Sequence, residues 1–413
     1  MKRFAHILIL LLAVLVEATA QNTMFNVAGT VRDAKTGKRL SQASITTQNG
    51  KVATVTNADG KFTIKSSMPI HEIWVSCLGY SAVKVNIDKD NANDVVVKLS
   101  PGTIMLSELI VSNMNAREIV EMAVDKIPNN FSRNNELLRC FYRETTQKGK
   151  RFIYVAEAVT DIYKGGYNRL TGVDRVAIEK GRKLMNVRQT DTLGAKIQGG
   201  PTLPVALDLM KNREILLSRE ELDLYNFTMD IPVTIDGRPQ LVIDFHPAFV
   251  TDHVLYHGKM YVDRQNLAFT RIVMSMDMSN EEAATKAMLL HKPNGVRFRP
   301  KELTTTVAYR FDGEVSRMHY LKSDVRFYCD WKRKLFAQPF HVEAEMVVTD
   351  LMSQDATPIK HKNSFSMLDS FYDKVEFFAD PSFWDDYNII EPTESLEHAI
   401  HKLKKNQADT PSI

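Results

Sequence analysis

The sequence predicts a mainly β protein, in which a small N-terminal β-sandwich precedes a larger, half-barrel-like curved antiparallel sheet with a few helices. Two observations lead to this prediction. Residues 25–99 contain short β-favouring runs separated by turn residues, and residues 137–351 contain longer runs that often end in charged turns. Stretches with the apolar spacing of a helix are few, so we expect the second region to form one long antiparallel meander that curves around helices.

Composition excludes several classes of protein. Hydrophobic residues make up 44% and charged residues 25% of the 413 residues, as in ordinary folded chains and unlike long disordered ones. The formal charge is +3, from 53 Lys and Arg against 50 Asp and Glu. This charge is too balanced for a protein that binds nucleic acid electrostatically, so we expect a folded protein of two or three domains and no nucleic-acid partner.

The sequence suggests five successive parts, each treated in turn below. They are a signal peptide at 1–20, a β-sandwich at 21–100, a connector with a helix at 101–130, a curved antiparallel β domain with helices at 131–379, and a C-terminal tail with a helix at 380–413.

The first twenty residues are typical of a secretory signal peptide. Lys2 and Arg3 precede an apolar run at 7–16, which ends in the small residues Ala18 and Ala20. A spanning helix needs about 20 apolar residues, and this run has only about ten. We therefore expect an exported protein without a transmembrane segment in the mature chain.

Three cysteines, Cys77, Cys140 and Cys329, lie in apolar, strand-like surroundings. An odd number in an oxidising compartment leaves at least one thiol unpaired. We interpret all three as small buried hydrophobic residues. Whether any two of them form a disulfide stays open at this point.

The sandwich prediction rests on seven β-favouring runs, which lie at 26–31, 43–48, 52–56, 61–65, 72–76, 81–87 and 95–99. Two turns between them, Asn49-Gly50 and Asp59-Gly60, supply the positive φ that a two-residue hairpin requires. Seven short strands at this spacing indicate a small β-sandwich.

Several short motifs in this region resemble one known family. Gly29 to Asp33, Thr36-Gly37, Leu40 to Ala43, Thr56 to Phe62 and Leu78 to Tyr80 are together similar to the carboxypeptidase-regulatory-like domain, a transthyretin-like sandwich. The resemblance implies an accessory module, found beside peptidases and at the head of bacterial outer-membrane nutrient transporters. It implies no peptidase activity, because none of the eleven histidines is followed three residues later by the Glu that a zinc carboxypeptidase needs.

A connector helix follows the sandwich. Asn115 and Glu118 form a capping-box pattern, and apolar residues continue at helical spacing to Ile127. In the larger region, we expect strands at 139–146, 152–163, 227–234, 240–245, 258–263, 268–276, 302–311, 316–327 and 340–349. Helices are expected at 203–217 and 280–290, the second with a capping box at Ser279 and Glu282.

Two weaker resemblances concern the larger region and the tail. His257 to Asp263, a short turn, and then Leu267 to Ile272 are similar to a hairpin of the periplasmic lipoprotein-carrier half-barrels, whose concave face holds acyl chains. The tail, with Asp380 to Trp384 and the stretch from Glu394 to Lys404, is similar to the ending of uncharacterised bacterial envelope proteins that carry the same sandwich.

The best candidate for a metal site consists of Asp244, His246, Asp252, His253 and His257, within fourteen residues. Imidazole and carboxylate together suit zinc or a related ion. However, strands are expected at 240–245 and 258–263, so most of these residues are expected to lie in the loop that joins the two strands. We therefore assign no metal and no cofactor, and keep His246, His253 and His257 as candidates only.

The segment 164–200 is a candidate binding surface of another kind. It holds seven of the eighteen glycines, and eight Lys or Arg against three acids. Such a segment suits anionic glycans, lipid headgroups or an acidic partner, but a solvated loop has the same composition.

The leading functional hypothesis is a non-catalytic envelope protein, in which the sandwich is an adaptor and the curved domain binds a ligand or an envelope or outer-membrane protein. The signal peptide and the resemblance to an accessory domain together lead us to expect a periplasmic protein associated with the outer membrane. Nucleophile elbows, HExxH helices, CxxC pairs and phosphate-binding glycine motifs are absent from the sequence. The alternatives are a periplasmic metal-dependent hydrolase and a carrier of acyl chains or lipoproteins. A carrier requires an open apolar cavity, and residues 203–217 packed into the concave face would argue against it.

Overall fold

The computed structural model describes residues 24–88, 90–102, 115–169, 174–185, 200–288, 296–331, 336–375 and 387–408. The expected signal peptide lies outside these residues. Within them, no helix combines the length and the apolar character needed to cross a membrane.

The N-terminal region forms two small sheets that pack face to face. Its strands are β1 (Phe25–Asp33), β2 (Ser44–Thr47), β3 (Ala53–Val55), β4 (Lys61–Ser66), β5 (Glu72–Ser76), β6 (Val83–Asn86) and β7 (Val95–Leu99). One sheet has the order β4-β1-β7 and the other β3-β2-β5-β6. Val31, Ile45, Ile73 and Leu99 are fully buried between them. Each of the seven predicted runs therefore contains one strand.

Gly60 shows why the sandwich turn needs its glycine. Its φ is +68°, and a Cβ at this position would lie 2.8 Å from the carbonyl oxygen of Val31. Asn57 completes the turn, because its side-chain oxygen accepts from the backbone N–H groups of Asp59 and Lys61. Any side chain at position 60 would meet both an unfavourable φ and a backbone atom.

The larger region is a single open, curved antiparallel sheet, as predicted. Its order is β10-β9-β8-β17-β16-β15-β14-β13-β12-β11. The strands are β8 (Glu136–Lys148), β9 (Arg151–Lys164), β10 (Arg175–Met185), β11 (Tyr225–Ile235), β12 (Arg238–Pro247), β13 (Tyr256–Asp263), β14 (Phe269–Met276), β15 (Val296–Phe311), β16 (Ser316–Trp331) and β17 (Gln338–Ser353).

The described helices are short and lie before, between and after the strands. They are α1 (Ala116–Asp125), α2 (Ile127–Asn130), α3 (Leu203–Ala206), α4 (Arg219–Leu222), α5 (Glu281–Met288), α6 (Phe371–Lys374) and α7 (Glu394–Ala408). The capping box of α1 forms as predicted, because Asn115 Oδ1 accepts from the Glu118 N–H at 2.8 Å while Asn115 Nδ2 donates to Glu118 Oε1.

The two faces of the large sheet follow from the alternation of side chains along each strand. The inner face is defined here by Tyr142, Leu321 and Met346, and the outer face by their chain neighbours Phe141, Tyr320 and Val347. The inner face belongs to the largest hydrophobic cluster, which also includes Ile119 and Val120 of α1. The outer face contributes to a smaller cluster with Val55 of the sandwich and Ile390 of the tail.

Residues 200–222, called the inner segment below, cover the inner face. Leu209, Met210 and Leu216 are fully buried in the same cluster as residues of β8 through β17. The predicted helix at 203–217 is wrong, because α3 ends after one turn. Asn212 Nδ2 donates to the carbonyls of Val205 and Ala206 and so closes the end of α3.

The second predicted helix is present, but its cap is Asn280, one residue later than the expected Ser279. Asn280 Oδ1 accepts from the Ala283 N–H at 3.0 Å, whereas the Ser279 hydroxyl donates to Asp277. Residues 289–290, the end of the predicted helix, lie outside the described residues.

Candidate functional site

The sandwich is docked on the outer face of the large sheet, and the contact between them is called the junction below. Val52 forms an isolated antiparallel bridge with Asp350. Ser44 Oγ is 3.0 Å from His319 Nε2, and the Gly79 N–H donates to the Thr234 carbonyl at 3.0 Å. Apolar packing supports these polar contacts, since Val55 lies against residues of β8, β15, β16 and β17.

The C-terminal segment 387–394 runs along the junction and binds both sides of it. Asn388 Oδ1 accepts from the Lys65 N–H at 2.7 Å, and Asn388 Nδ2 donates to the Lys65 carbonyl at 2.9 Å. On the other side, Arg143 Nη2 donates to the Ile390 carbonyl at 2.7 Å. Helix α7 then packs on the outer face of β9 and β10 through Leu396, Ile400 and Leu403.

Beside this docking contact lie three neighbouring cavities, together called the junction cleft. An inner cavity of about 50 Å³ lies between the sandwich and the sheet. An outer cleft of about 300 Å³ and a side cavity of about 130 Å³ share lining residues with it. Arg310 of β15 lines all three.

Among the described residues, the Arg310 side chain forms one hydrogen bond, in which Nη2 donates to the Gly50 carbonyl at 2.7 Å. Its Nη1 is fully buried and has no hydrogen-bond partner in this part of the chain. A second guanidinium, that of Arg271 on β14, lines the inner cavity and donates to Gln42 Oε1 at 3.3 Å. Among the described residues, neither guanidinium forms an ion pair.

The carboxylates at the junction are engaged elsewhere. Asp236 lines the inner cavity, and it accepts a short hydrogen bond from the Ser76 hydroxyl. Asp312 is paired with Arg317 and accepts from the backbone N–H groups of Glu314 and Val315. Burial is the largest influence and lowers the pKa of both Arg310 and Arg271, although the charges of Asp236 and Asp312 oppose it at Arg310.

His319 is the third basic side chain of the cleft. It is the extra residue of a β-bulge, since Ala308 pairs with Tyr320 while Tyr309 pairs with Met318. The bulge brings the imidazole to Ser44, and only 7% of the residue is exposed. Burial, and then the charges of Arg310 and Arg271, lower the pKa of His319 well below its ordinary value. The imidazole is therefore neutral at pH 7.

A buried polar network on the inner face holds the inner segment in place. Asp208 is fully buried and accepts from the hydroxyls of Tyr167 and Tyr309, both at 2.8 Å. Lys164 Nζ lies 2.6 Å from Asp208 Oδ2 and also contacts Asp174. Because every charged group here has a partner within the chain, we interpret the network as structural.

Glu144 is a second buried acid on the inner face. It accepts from Tyr154 at 2.6 Å and from Tyr142 at 2.7 Å, with no cation beside it in the described contacts. Burial raises its pKa to about 7, against the opposing effect of the two hydroxyls. Phe371 and Tyr372 pack on the same two tyrosines. Glu144 is therefore closed off from solvent rather than open to a substrate.

The three candidate histidines from the sequence are exposed. His246 is the last residue but one of β12 and His257 is the second residue of the neighbouring strand β13, whereas His253 lies in the loop between them. Asp244 is ion-paired with Lys259 at 3.2 Å. Among the described residues, these side chains do not make a group with metal-ligand spacing.

One such group does occur, on the outer face at β16 and β17. The ligand atoms of Asp324, His341 and Glu343 lie within 4.8 Å of one another. Neighbouring cations already neutralise its carboxylates, since Lys322 lies 2.6 Å from Glu343 and Arg326 lies 3.2 Å from Asp324. His341 itself is 2.9 Å from Asp324. We therefore interpret this group as a cross-strand ion-pair network.

The basic segment 164–200 is described only at 164–169, 174–185 and 200. Its described cations contact the protein itself. Lys164 is buried in the inner network, Arg182 pairs with Glu157 at 2.6 Å, and Arg175 donates to the Ile359 carbonyl. The described part of this segment therefore builds the sheet edge.

The three cysteines are free thiols. Cys140 and Cys329 are fully buried, as predicted, and burial raises the pKa of both. Cys77 differs because it is partly exposed at the edge of the inner cavity.

Sequence reasoning missed every residue of the junction cleft. Arg271, Arg310 and His319 occur singly on three different strands, and no local motif joins them. An alternation such as Ala308-Tyr309-Arg310 is the ordinary pattern of a strand, so it gave no signal of the cleft.

The fold and the junction define a chain in which a small β-sandwich is docked on the outer face of an open curved sheet. Residues 27–111 match the family model described as the CarboxypepD_reg-like domain. The resemblance of the sandwich is thus confirmed, and it applies to this part of the chain. No curated protein matches the sequence.

Solved structures resemble the chain at low identity. A lipovitellin structure concerned with lipid–protein interactions is 7% identical, with a TM-score of 0.28, over 56% of this chain and 26% of that one. An outer membrane lipoprotein-sorting protein domain from Vibrio parahaemolyticus is 10% identical, with a TM-score of 0.26, over 60% and 96%. A LolA superfamily protein from Nitrosomonas europaea is 13% identical, with a TM-score of 0.18, over 58% and 95%.

The last two belong to the class of proteins that the hairpin beginning at His257 resembles. Because all three TM-scores lie below 0.5, we base no functional argument on these structural similarities.

Proposed function

We propose that this chain is an exported, non-catalytic protein of the bacterial envelope. In this proposal the sandwich is an adaptor, and the sandwich and curved sheet together form one binding surface for a ligand or partner. The expected signal peptide at 1–20 and the accessory-domain match at 27–111 support export and an adaptor role.

The observation that carries the binding role is the junction cleft. It is concave, it lies between two folded units, and it includes Arg310 Nη1, which is buried without a hydrogen-bond partner among the described residues. Clefts between folded units with a few convergent polar groups are common sites of ligand binding.

The two alternatives have less support. A metal-dependent hydrolase needs an open ligand set, whereas His246, His253 and His257 are spread over two strands and a loop, and Lys322 and Arg326 pair with the Asp324 group. A carrier of acyl chains needs an open apolar face. Leu209, Met210 and Leu216 of the inner segment are instead buried against the inner face of the sheet.

Native mass spectrometry of the protein purified from its own periplasm tests the proposal, with metal analysis on the same sample. A bound molecule or partner protein that remains with the chain at stoichiometric amount is the expected result. One tightly bound transition metal, together with a saturable hydrolase activity that is lost on His341→Ala or Asp324→Ala, would contradict it.

A further inference from the structure

We propose that the junction cleft binds the carboxylate group of a small organic ligand, held between Arg310 and Arg271, with the body of the ligand in the outer cleft. This inference rests on the proposed binding function and names the class of ligand.

The first argument is the imbalance of charge in the inner cavity. Two guanidinium groups line it, and neither forms an ion pair among the described residues, whereas one carboxylate, that of Asp236, lines the same cavity. The lining therefore carries one positive charge in excess, and a bound anion relieves the cost of a partly buried excess cation. The sign of the ligand group in this cavity is therefore negative.

The second argument is geometry. Arg310 is fixed through Nη2 to the Gly50 carbonyl, and its Nη1 is buried without a hydrogen-bond partner among the described residues. A planar guanidinium with free N–H donors recognises a carboxylate by paired hydrogen bonds. Ser44, Gln42 and His319 add donors around the same cavity, and the neutral state of His319 keeps it from repelling the two guanidinium groups.

The third argument is size. A water molecule occupies about 10–15 Å³ on the scale used for such cavities. The inner cavity of about 50 Å³ thus holds only a few non-hydrogen atoms, as a carboxylate has. The outer cleft of about 300 Å³ shares Ser44, Ser76 and Arg310 with it. Trp74, Val75 and Phe311 form part of the lining of this outer cleft. An inorganic anion leaves this larger, partly apolar space unused, whereas an organic acid fills both.

Titration of the full chain with benzoate tests the proposal. Binding is measured by ligand-observed saturation-transfer NMR, in buffer free of other carboxylates. Benzamide is the uncharged isostere, and inorganic phosphate is the anion without an organic body. We expect benzoate to bind at one site per chain, at least tenfold more tightly than benzamide. Arg310→Gln and Arg271→Gln are each expected to weaken benzoate binding at least tenfold.

Arg297→Gln is the matched control, because Arg297 lies on the same strand β15 and is exposed. It is expected to bind benzoate as the wild type does. Arg310→Lys keeps the charge and loses the fork of donors, so its affinity is expected to fall between wild type and Arg310→Gln. The wild-type melting temperature provides a test without any variant, because benzoate should raise it and benzamide should not.

Three results would overturn the proposal. They are equal binding of benzoate and benzamide, unchanged binding in a folded Arg310→Gln variant, and binding of phosphate without binding of benzoate. If benzoate fails while the periplasmic protein still carries a partner in the native mass spectrum, the carboxylate site is wrong and the proposed function stands. If benzoate does not bind and no molecule or partner protein remains with the purified chain, both the carboxylate site and the proposed function are wrong.

Discussion

Replacing Asp208 with alanine tests how firmly the inner segment is held on the sheet. The carboxylate accepts from Tyr167 and Tyr309 and is 2.6 Å from Lys164, with no exposure to solvent. The Asp208→Ala variant leaves two hydroxyls and part of a buried ammonium without an acceptor. Breaking a buried ion pair by removing one partner costs about 3–5 kcal/mol.

Lys164 keeps its contact with Asp174, which places the expected loss at the lower end, about 3 kcal/mol. Most proteins have a free energy of unfolding of about 5–15 kcal/mol, so this change is large. The Asp208→Asn variant keeps an acceptor for one tyrosine and removes only the charge. Its loss of stability is expected to be smaller than that of alanine.

Urea unfolding followed by far-UV circular dichroism measures the loss, because the ten-stranded sheet dominates the signal. Asp223→Ala is the control, since Asp223 pairs with Arg117 and 74% of its side chain is exposed. The control should cost at most about 1 kcal/mol. A second readout is binding of an apolar dye, which should increase if the inner segment detaches. A loss below about 1 kcal/mol for Asp208→Ala would refute the structural role of the network.

Three further predictions concern other parts of the chain. Burial raises the pKa of Glu144 to about 7, above its ordinary 4.5, so between these values the folded state holds a proton that the unfolded state releases. The contribution of this proton to the free energy of unfolding is complete below pH 4.5 and is lost as the pH rises through 7. Glu144→Gln should therefore match wild type at pH 4.5 and be more stable at pH 8, by about 3 kcal/mol, in urea titrations; equal stabilities at both pH values would contradict this. Asn388→Ala should cost about 1–3 kcal/mol of unfolding free energy, because the two hydrogen bonds between the Asn388 side chain and the Lys65 backbone are lost. The control Asn363→Ala, at an exposed position, should cost less than about 0.5 kcal/mol, and chemical denaturation compares the two variants. Gly60→Ala should lower the stability of the sandwich by more than Gly149→Ala, since both have positive φ and only Gly60 has a backbone atom in the way; equal melting temperatures would show that the contact with Val31 is unimportant.

The sequence by itself determined the local elements of this protein. The alternation of apolar residues, the turns at Asn49-Gly50 and Asp59-Gly60, and the capping box at Asn115 each act within a few residues. Such signals depend on backbone conformation and on near neighbours, so they survive without knowledge of the fold. The family of the sandwich was accessible for the same reason, because its motifs are short and ordered along the chain.

Local patterns failed where a distant contact prevailed. The segment 203–217 has helical spacing, yet Asp208 is drawn to Tyr309 and Lys164, and the helix stops after one turn. The three histidines near residue 250 are close in sequence, but they lie on two neighbouring strands and the loop between them. Their side chains are exposed and do not form a cluster.

The junction cleft was decided by tertiary structure alone. Ser44 meets His319 across 275 residues, Gln42 meets Arg271 across 229, and Gly50 meets Arg310 across 260. A β-bulge turns His319 toward the sandwich, and no residue near it in sequence signals that turn. The physical reason is that an arginine on a strand has the same local pattern whether it faces water or a buried cavity. Only the docking of the sandwich on the outer face decides which of these it meets.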